Sequence, residues 1–387
     1  MSFRLFAITA PGLEPFTTAE LASLGITANP PVTFAARGEP KEEIGGVEFD
    51  ASQADLYRTN LLLRTANRIV YRLGEFTAVS FPELRKKAAR LPWETILQPG
   101  QPVAVRVTCH KSKLYHSDAV AERVAGAIGD FFGKPAPMKK FNENSRPLPQ
   151  LILVRFNHDT CTISADTSGE LLHRRGYRLE TAKAPLRETL AAGLIMASGW
   201  DGRSPLLDPF CGSGTLAIEA ALYARRIAPG KNRRFAFMDW PGFDKKKWEH
   251  QLARANSLEI RSPVTILASD RDAGAIQIAR SNAERAGVLD LIQFDCLAVS
   301  AIQPPNQAGW VVTNPPYGVR VSPDKDLRDL YARFGDVLRR QCPDWNTGVL
   351  CSNDLLIGQM HIPLLEKIHL TNGGLPVSFY RGKVQSL

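Results

Sequence analysis

The chain has 387 residues, 44% of them hydrophobic, and 48 Lys and Arg against 39 Asp and Glu give a net charge of +9; this calls for two or three folded domains and excludes a disordered or fibrous protein. No run reaches the roughly 20 apolar residues of a membrane span, and the start lacks a signal-peptide layout, so a cytoplasmic protein without membrane partners is expected. Six cysteines, at 109, 161, 211, 296, 342 and 351, form no C-x-x-C pair and have no histidines at zinc spacing, so neither a metal site nor a disulfide framework is expected.

Phe3-Arg4-Leu5-Phe6-Ala7-Ile8 alternates as a strand, Pro11-Gly12 marks a turn, and Phe16 to Leu24 has helical spacing closed by Gly25. Val47-Glu48-Phe49 after Gly45-Gly46 predicts a further strand, and the opening segment reads as a small α+β unit. Leu56 to Leu73 reads as one helix, with Leu61, Leu62, Thr65, Ile69 and Leu73 on its buried face and Arg64, Arg68 and Arg72 on a solvated one. Val103, Val105 and Val107 alternate with polar neighbours as a half-buried strand. The loop His110-Lys111-Ser112-Lys113-Leu114-Tyr115-His116 then leads into a helix with Ser117 as N-cap, Val120, Val124, Ile128 and Phe131 on one face, and Gly133 as its stop. Lys111, Lys113 and Tyr115 could grip phosphates and stack a base, or belong to a plain polar loop.

The charge is uneven. Residues 1–50 hold 3 basic against 7 acidic side chains, whereas residues 51–150 hold 16 against 8. A basic field confined to one stretch suits a polyanion partner; a solvated face is the alternative. After a connection over 134–149 and the strand Leu151 to Phe156, the segment Leu172-His173-Arg174-Arg175-Gly176-Tyr177-Arg178 reads as a basic hairpin or linker near a domain boundary. Beyond it helices and strands alternate, as in a doubly wound, mostly parallel sheet.

Leu206-Leu207-Asp208 ends a strand, and Pro209-Phe210-Cys211-Gly212-Ser213-Gly214-Thr215 turns into an apolar helix. Gly212 and Gly214 permit a tight turn and close ligand approach at a helix N-terminus. The loose G-x-G-x-x-A match alone would allow a nicotinamide or flavin enzyme. Two features oppose that. Asp208 stands where a pyrophosphate would be repelled and an ammonium welcomed, and the next acid at a strand end, Asp270, lies far beyond the expected spacing of about 20 residues, displaced by a basic insert from Arg225 to Lys247. Asp270, followed by Arg271, suits a ribose, and Asp295, followed by Cys296, suits an adenine amine. An amino-acid end, a ribose and an adenine together describe S-adenosylmethionine. A fourth strand, Trp310-Val311-Val312, leads to Asn314-Pro315-Pro316-Tyr317. There an Asn oxygen and the Pro315 carbonyl can accept both hydrogens of an amine on a planar ring, two prolines stiffen the loop, and Tyr317 offers a stacking face.

These motifs, Asp208 to Thr215, Ser269-Asp-Arg-Asp272 and Thr313 to Gly318, preceded by His173 to Arg178 and Ala184-Pro-Leu-Arg187, resemble the class I RNA methyltransferases that carry a THUMP domain. Within that group the chain is most similar to bacterial large-subunit ribosomal RNA guanine-N2 methyltransferases. The resemblance spans nearly the whole chain and implies a ferredoxin-like unit at 1–60, a THUMP domain at 61–165, a linker or hairpin at 166–185 and a Rossmann-like catalytic domain at 186–387. It implies RNA, ribosomal RNA foremost, as partner, with Lys111, Lys113, Tyr115, Arg174, Arg175 and Arg178 as candidate contacts. The cofactor set would be Asp208, Phe210, Cys211, Gly212, Gly214, Thr215, Asp270, Arg271, Asp295 and Cys296. Some relatives are fused to a second methyltransferase, whose activity is not expected of this chain. The tetrapeptide itself leaves guanine N2 and adenine N6 open, transfer RNA remains a second substrate, and a non-catalytic RNA-binding assembly factor is the reading from another class.

Overall fold

The computed structural model describes residues 2–30, 33–36, 39–42, 45–143, 147–179, 186–317 and 327–385. Ala184, Pro185 and Gly318, quoted in two of the motifs above, lie outside them. The chain folds as two compact units: Met1–Thr9, Thr17–Leu172 and Arg233–Ala253 make the first, and Ala10–Phe16, His173–Asn232 and Arg254–Leu387 the second.

The first half of the chain runs β1 (Phe3–Thr9), α1 (Glu14–Ser23), β2 (Thr33–Ala36), β3 (Glu39–Glu42), β4 (Gly46–Ala51), α2 (Gln53–Leu62), β5 (Ala66–Thr77), α3 (Phe81–Ala88), β6 (Val103–His110), α4 (Ser117–Phe132), β7 (Gln150–Asn157) and β8 (Thr160–Asp166). One six-stranded sheet in the order β4-β1-β5-β8-β7-β6 carries this unit. Only its β6–β7 pair is parallel.

The structure corrects the single helix expected over Leu56 to Leu73. Leu63 leaves the helix with extended dihedrals, φ −66° and ψ 126°, and Ala66–Thr77 is the central strand, paired with β1 and β8. Its Ile69-Val70-Tyr71 run favours the pleated conformation. Arg64 and Arg68 are buried and Arg72 is half-buried, so the set does not form a solvated face. Arg68 pairs with Asp166 and Arg72 with Glu48, while the Arg64 amide donates to Glu20 Oε1 at 2.7 Å. A smaller correction concerns α4: Ser117 is its first helical residue, and His116 stands at the cap position without a side-chain cap bond.

The second half runs α5 (Glu188–Ser198), β9 (Leu206–Asp208), α6 (Thr215–Ala224), α7 (Lys245–Ser257), β10 (Ile266–Asp270), α8 (Ala273–Ala286), β11 (Ile292–Cys296), β12 (Trp310–Thr313), α9 (Arg328–Gln341), β13 (Asn346–Cys351), α10 (Asp354–Gly358), β14 (Glu366–Asn372) and β15 (Leu375–Lys383). The seven-stranded sheet has the order β11-β10-β9-β12-β13-β15-β14, parallel from β11 to β13 and antiparallel at β15 and β14. Adjacent apolar residues on each strand serve opposite faces, as the pleat demands. Leu206 and Val312 join a core with α5, α6 and α8, whereas Leu207 and Val311 join a core with α9 and α10.

Two short segments belong to the unit that their chain position would not suggest. Residues 233–253 fold with the first unit: Phe237 N donates to the Thr167 carbonyl at 3.1 Å, Trp240 Nε1 to Gln150 Oε1 at 2.8 Å, and Tyr57 stacks on Phe237 at 4.8 Å. Residues 10–16 fold with the second. Gly12 sits there at φ +92°, and a Cβ would stand 2.0 Å from the His369 carbonyl oxygen, so no other residue fits without displacing β14.

Candidate active site

The sheet order reverses at β9. From it the chain goes to β10 and β11 on one side and to β12 and β13 on the other, which makes the carboxyl ends of β9 and β12 the topological switch point where open α/β sheets bind ligands. The four strand ends named from sequence meet at this edge. Asp208 lies beside Ala268, Ser269 beside Asp295 and Asp270 beside Cys296 in the parallel register.

The glycine loop is tied to its neighbours by backbone and carboxylate. Cys211 N donates to the Ser269 carbonyl at 2.9 Å, and Gly212 N donates to Asp270 Oδ2 at 3.0 Å. Asp270 Oδ1 also receives the amide of Asp272 at 3.0 Å, so this carboxylate shapes the loop from the adjacent strand. Gly212 has φ +50° and open space where a Cβ would stand, whereas at Gly214, φ +81°, a Cβ would press on Ala279 at 3.0 Å and Phe294 at 3.3 Å. The first glycine leaves room for a ligand; the second lets α6 pack against α8. Phe210 lies edge-on to Phe334, with ring centroids 5.2 Å apart. Burial holds the Cys211 thiol protonated.

Asp208 is 1% exposed. Its Oδ1 accepts the Thr313 hydroxyl at 2.7 Å and the Phe210 amide at 3.3 Å. This bond joins the loop after β9 to the last residue of β12, so the two motifs are one piece of structure. Burial pushes the Asp208 carboxyl up to about 7, the Asp270 charge adds to the rise, and the Thr313 and Phe210 donors oppose it. A folded-state value above the ordinary 3.8 stabilises the folded chain fully below that pH and is lost as pH rises through about 7. Urea midpoints of the ligand-free protein should therefore fall less steeply between pH 4 and 7 in Asp208→Asn than in the native chain; equal slopes would remove Asp208 from the account.

Asn314 follows immediately. Its Oδ1 is buried and has no hydrogen-bond partner among the described residues. A buried, unsatisfied acceptor costs roughly 1–3 kcal/mol, which a bound donor would recover. The loop around it is braced. The Tyr331 hydroxyl donates to the Pro316 carbonyl at 3.3 Å, and Asn372 Nδ2 donates to the Tyr317 hydroxyl at 3.1 Å. Neither Tyr331 nor Asn372 was marked by the sequence, because each reaches the loop from an element far along the chain. At the outer edge Asp295 accepts Gln293 Nε2 at 2.8 Å, and Arg271 and Cys296 are exposed, with the thiol against the Arg271 carbonyl at 3.7 Å.

The candidate RNA contacts divide. Lys111, Lys113, Tyr115 and Arg174 are exposed or half-exposed. The loop bearing the first three is fastened to the β7–β8 turn, with Lys113 N donating to Asp159 Oδ1 at 2.7 Å and Asp159 N to Ser112 Oγ at 2.9 Å. Arg175 and Arg178 are corrected to interior residues: their guanidinium groups lie 3.6 Å from Glu219 and 3.4 Å from Glu188.

Residues 175–380 match a family model described as the RMKL-like methyltransferase domain, residues 4–70 the RlmL ferredoxin-like domain and residues 78–166 the THUMP domain. The chain belongs to the RMKL-like methyltransferase family. A Synechocystis protein provisionally named an RNA methyltransferase is 33% identical over 97% of this chain and 95% of its own length. The ribosomal RNA large subunit methyltransferase K/L of Shewanella baltica is 34% identical over 97% of this chain but 52% of its own length, so the chain spans about half of that relative. Among solved structures, SMU.472 in complex with S-adenosylhomocysteine aligns with a TM-score of 0.87 at 31% identity, over 100% of this chain and 99% of its own. A Listeria monocytogenes protein described as a predicted N6-adenine-specific DNA methylase aligns at 0.85 and 34%, over 98% and 96%.

S-adenosylmethionine is the cofactor of this RMKL-like domain, and the residues at the switch point fit it: open space at Gly212, carboxylates at the ends of β9 and β10, and, next to Asp270, a buried Ser269 hydroxyl with no hydrogen-bond partner among the described residues. When bound it supplies an electrophilic methyl group on a sulfonium. Among the described residues no group of three His, Cys, Asp or Glu could hold a metal ion, and no helix is long and apolar enough to cross a membrane.

Proposed function

We propose that this RMKL-like protein methylates the exocyclic N2 amine of a guanine in RNA, with large-subunit ribosomal RNA as the substrate. The observation that carries this reading is the buried Asn314 Oδ1 just after β12, which has no hydrogen-bond partner among the described residues and is linked through Thr313 and Asp208 to the glycine loop. Asn314 and the Pro315 carbonyl accept the two amine hydrogens, which turns the nitrogen lone pair toward the methyl group, and Tyr317 supports the ring. The new N–C bond forms as the S–C bond breaks, its electrons stay on sulfur, and the nitrogen then loses one proton to solvent. Positioning supplies most of the rate, because the electrophile is already strong. Asp208, Phe210, Cys211, Gly212, Gly214, Thr215, Asp270, Arg271, Asp295 and Cys296 form the cofactor side of the site. Residues 1–60 and 61–165 hold the RNA, with Lys111, Lys113, Tyr115 and Arg174 as contacts, and the names of the K/L relatives support ribosomal RNA.

The test is methyl transfer from labelled S-adenosylmethionine to unmodified large-subunit ribosomal RNA, followed by nucleoside analysis. Labelled N2-methylguanosine is expected. The Listeria relative is described as an adenine methylase, and labelled N6-methyladenosine would replace the guanine reading with that one. Binding to the same RNA should weaken with salt, and a Lys111→Ala/Lys113→Ala variant should reduce the log–log salt slope by about 2, roughly 1 for each lost phosphate contact. An unchanged slope would take that loop out of the interface.

A further inference from the structure

The segment before α5 reads from sequence as basic and RNA-facing, yet Arg175, Tyr177 and Arg178 turn inward onto the helix that follows the glycine loop. Arg178 Nη2 donates to the Thr215 hydroxyl at 2.8 Å and to the Leu186 carbonyl at 2.7 Å, while its Nε lies 3.4 Å from Glu188 Oε1. Thr215 is the first residue of α6, directly after Gly214, and is buried. One turn further along α6, the Glu219 carboxylate accepts the Tyr177 hydroxyl at 3.1 Å and lies 3.6 Å from Arg175 Nε. From the other side Arg285 Nε donates to the Tyr177 carbonyl at 2.8 Å. Residues 175–178 thus clamp the start of α6 at two successive levels.

A guanidinium suits this place for a geometric reason. Its planar fork can hold the Thr215 hydroxyl and the Leu186 carbonyl together while its charge stays beside Glu188; an ammonium at the end of a flexible stem cannot hold all three. Burial pushes the Glu188 carboxyl up to about 7, with Arg178 the leading influence the other way.

We infer that Arg178 is a positioning residue for methyl transfer: acting through Thr215, it holds the Gly212–Gly214 turn in the conformation that receives S-adenosylmethionine. This rests on the reading of that turn as the cofactor site. From α8 the Asn282 Nδ2 donates to the Ser213 carbonyl at 3.2 Å, and from the segment before α5 it is Arg178 that reaches the residue closing the turn. Thr215 follows two glycines, each at positive φ, and a glycine pair relaxes readily once a neighbour stops constraining it.

The test compares Arg178→Lys, Thr215→Val and the double variant in the full chain, with S-adenosylhomocysteine calorimetry, steady-state methyl transfer to unmodified large-subunit ribosomal RNA, and binding of that RNA. Arg178→Lys should raise the cofactor Kd and the cofactor KM about tenfold, the scale of one lost hydrogen bond to a charged group, with kcat unchanged at saturating cofactor and RNA affinity unchanged, and Thr215→Val should raise the cofactor Kd by at least as much. The double variant should be no worse than the weaker single one, because both remove the same link. Thr215→Val leaves the Arg178–Glu188 pair intact and keeps the test alive if Arg178→Lys folds poorly. Penalties that multiply, an unchanged cofactor Kd, or a loss confined to RNA binding would each overturn the assignment. Gly212→Val separates the two levels: if it too leaves cofactor binding intact, the cofactor-site reading itself falls.

Discussion

Replacing Asn314 by alanine is expected to lower methyl transfer about 10²–10³-fold, the scale on which enzymes lose rate when one preorganised polar contact at the reacting atoms is removed. The structure isolates that contact. Thr313 remains bonded to Asp208 at 2.7 Å, Tyr331 still donates to the Pro316 carbonyl, and Asn372 still holds the Tyr317 hydroxyl. The loop therefore keeps its course when the Asn314 side chain is cut back, and what disappears is an acceptor with no hydrogen-bond partner among the described residues. Since that acceptor costs stability in the free protein, Asn314→Ala should fold at least as well as the native chain. S-adenosylhomocysteine affinity, measured by calorimetry, should be unchanged, because in the proposed function the acceptor serves the base and not the cofactor. A rate within a few-fold of native, with cofactor binding intact, would show that the amine is held elsewhere.

The largest expected stability loss comes from the other unit. Arg68 is 3% exposed and pairs with Asp166, while its Nη1 also donates to the Gly169 carbonyl at 2.9 Å. Asp166 in turn accepts the amides of Ser168 and Gly169, both at 2.9 Å, so one carboxylate closes the turn after β8 and neutralises a buried guanidinium. Removing it by Asp166→Ala leaves the guanidinium only the longer contact to Glu143 Oε1 at 3.5 Å, and losing the nearer partner of a buried pair costs about 3–5 kcal/mol. Urea unfolding followed by tryptophan fluorescence should show the loss. If the unit tolerates Asp166→Ala with less than about 1 kcal/mol, the pair is solvated and belongs with surface ion pairs instead. The double variant Arg68→Met/Asp166→Ala should recover part of the loss, since it removes the buried charge along with its partner.

Much of the site was legible because its chemistry is local. Asp208, Asp270 and Asn314 each sit at or just after a strand end, the two glycines follow the first of them, and β9, β10 and β12 bring those ends to one edge of the sheet. The connections among them were not legible. The bond from Thr313 to Asp208 spans 105 positions, and nothing near either residue signals it. Arg64, Arg68 and Arg72 were misread for a different reason. A spacing of four repeats on one face of a helix and also on one face of a strand, so the pattern alone could not choose. The apolar residues from Leu61 to Leu73 straddle a helix end and a strand start, and the Ile69-Val70-Tyr71 run was the feature that should have decided. Arg175 and Arg178 show the same limit for charge. A cluster of arginines advertises an anion, and here the anions are Glu188 and Glu219 of the same chain.

In the proposed function Asn314-Pro315-Pro316-Tyr317 presents a guanine amine of large-subunit ribosomal RNA to the cofactor. Mass spectrometry of that RNA, from cells lacking the gene and from the same cells expressing either the native chain or Asn314→Ala, tests it most directly. One N2-methylguanosine should be missing in the deletion strain, restored by the native chain and not restored by Asn314→Ala. A deletion strain whose large-subunit RNA keeps every N2-methylguanosine, or loses N6-methyladenosine instead, would contradict the account.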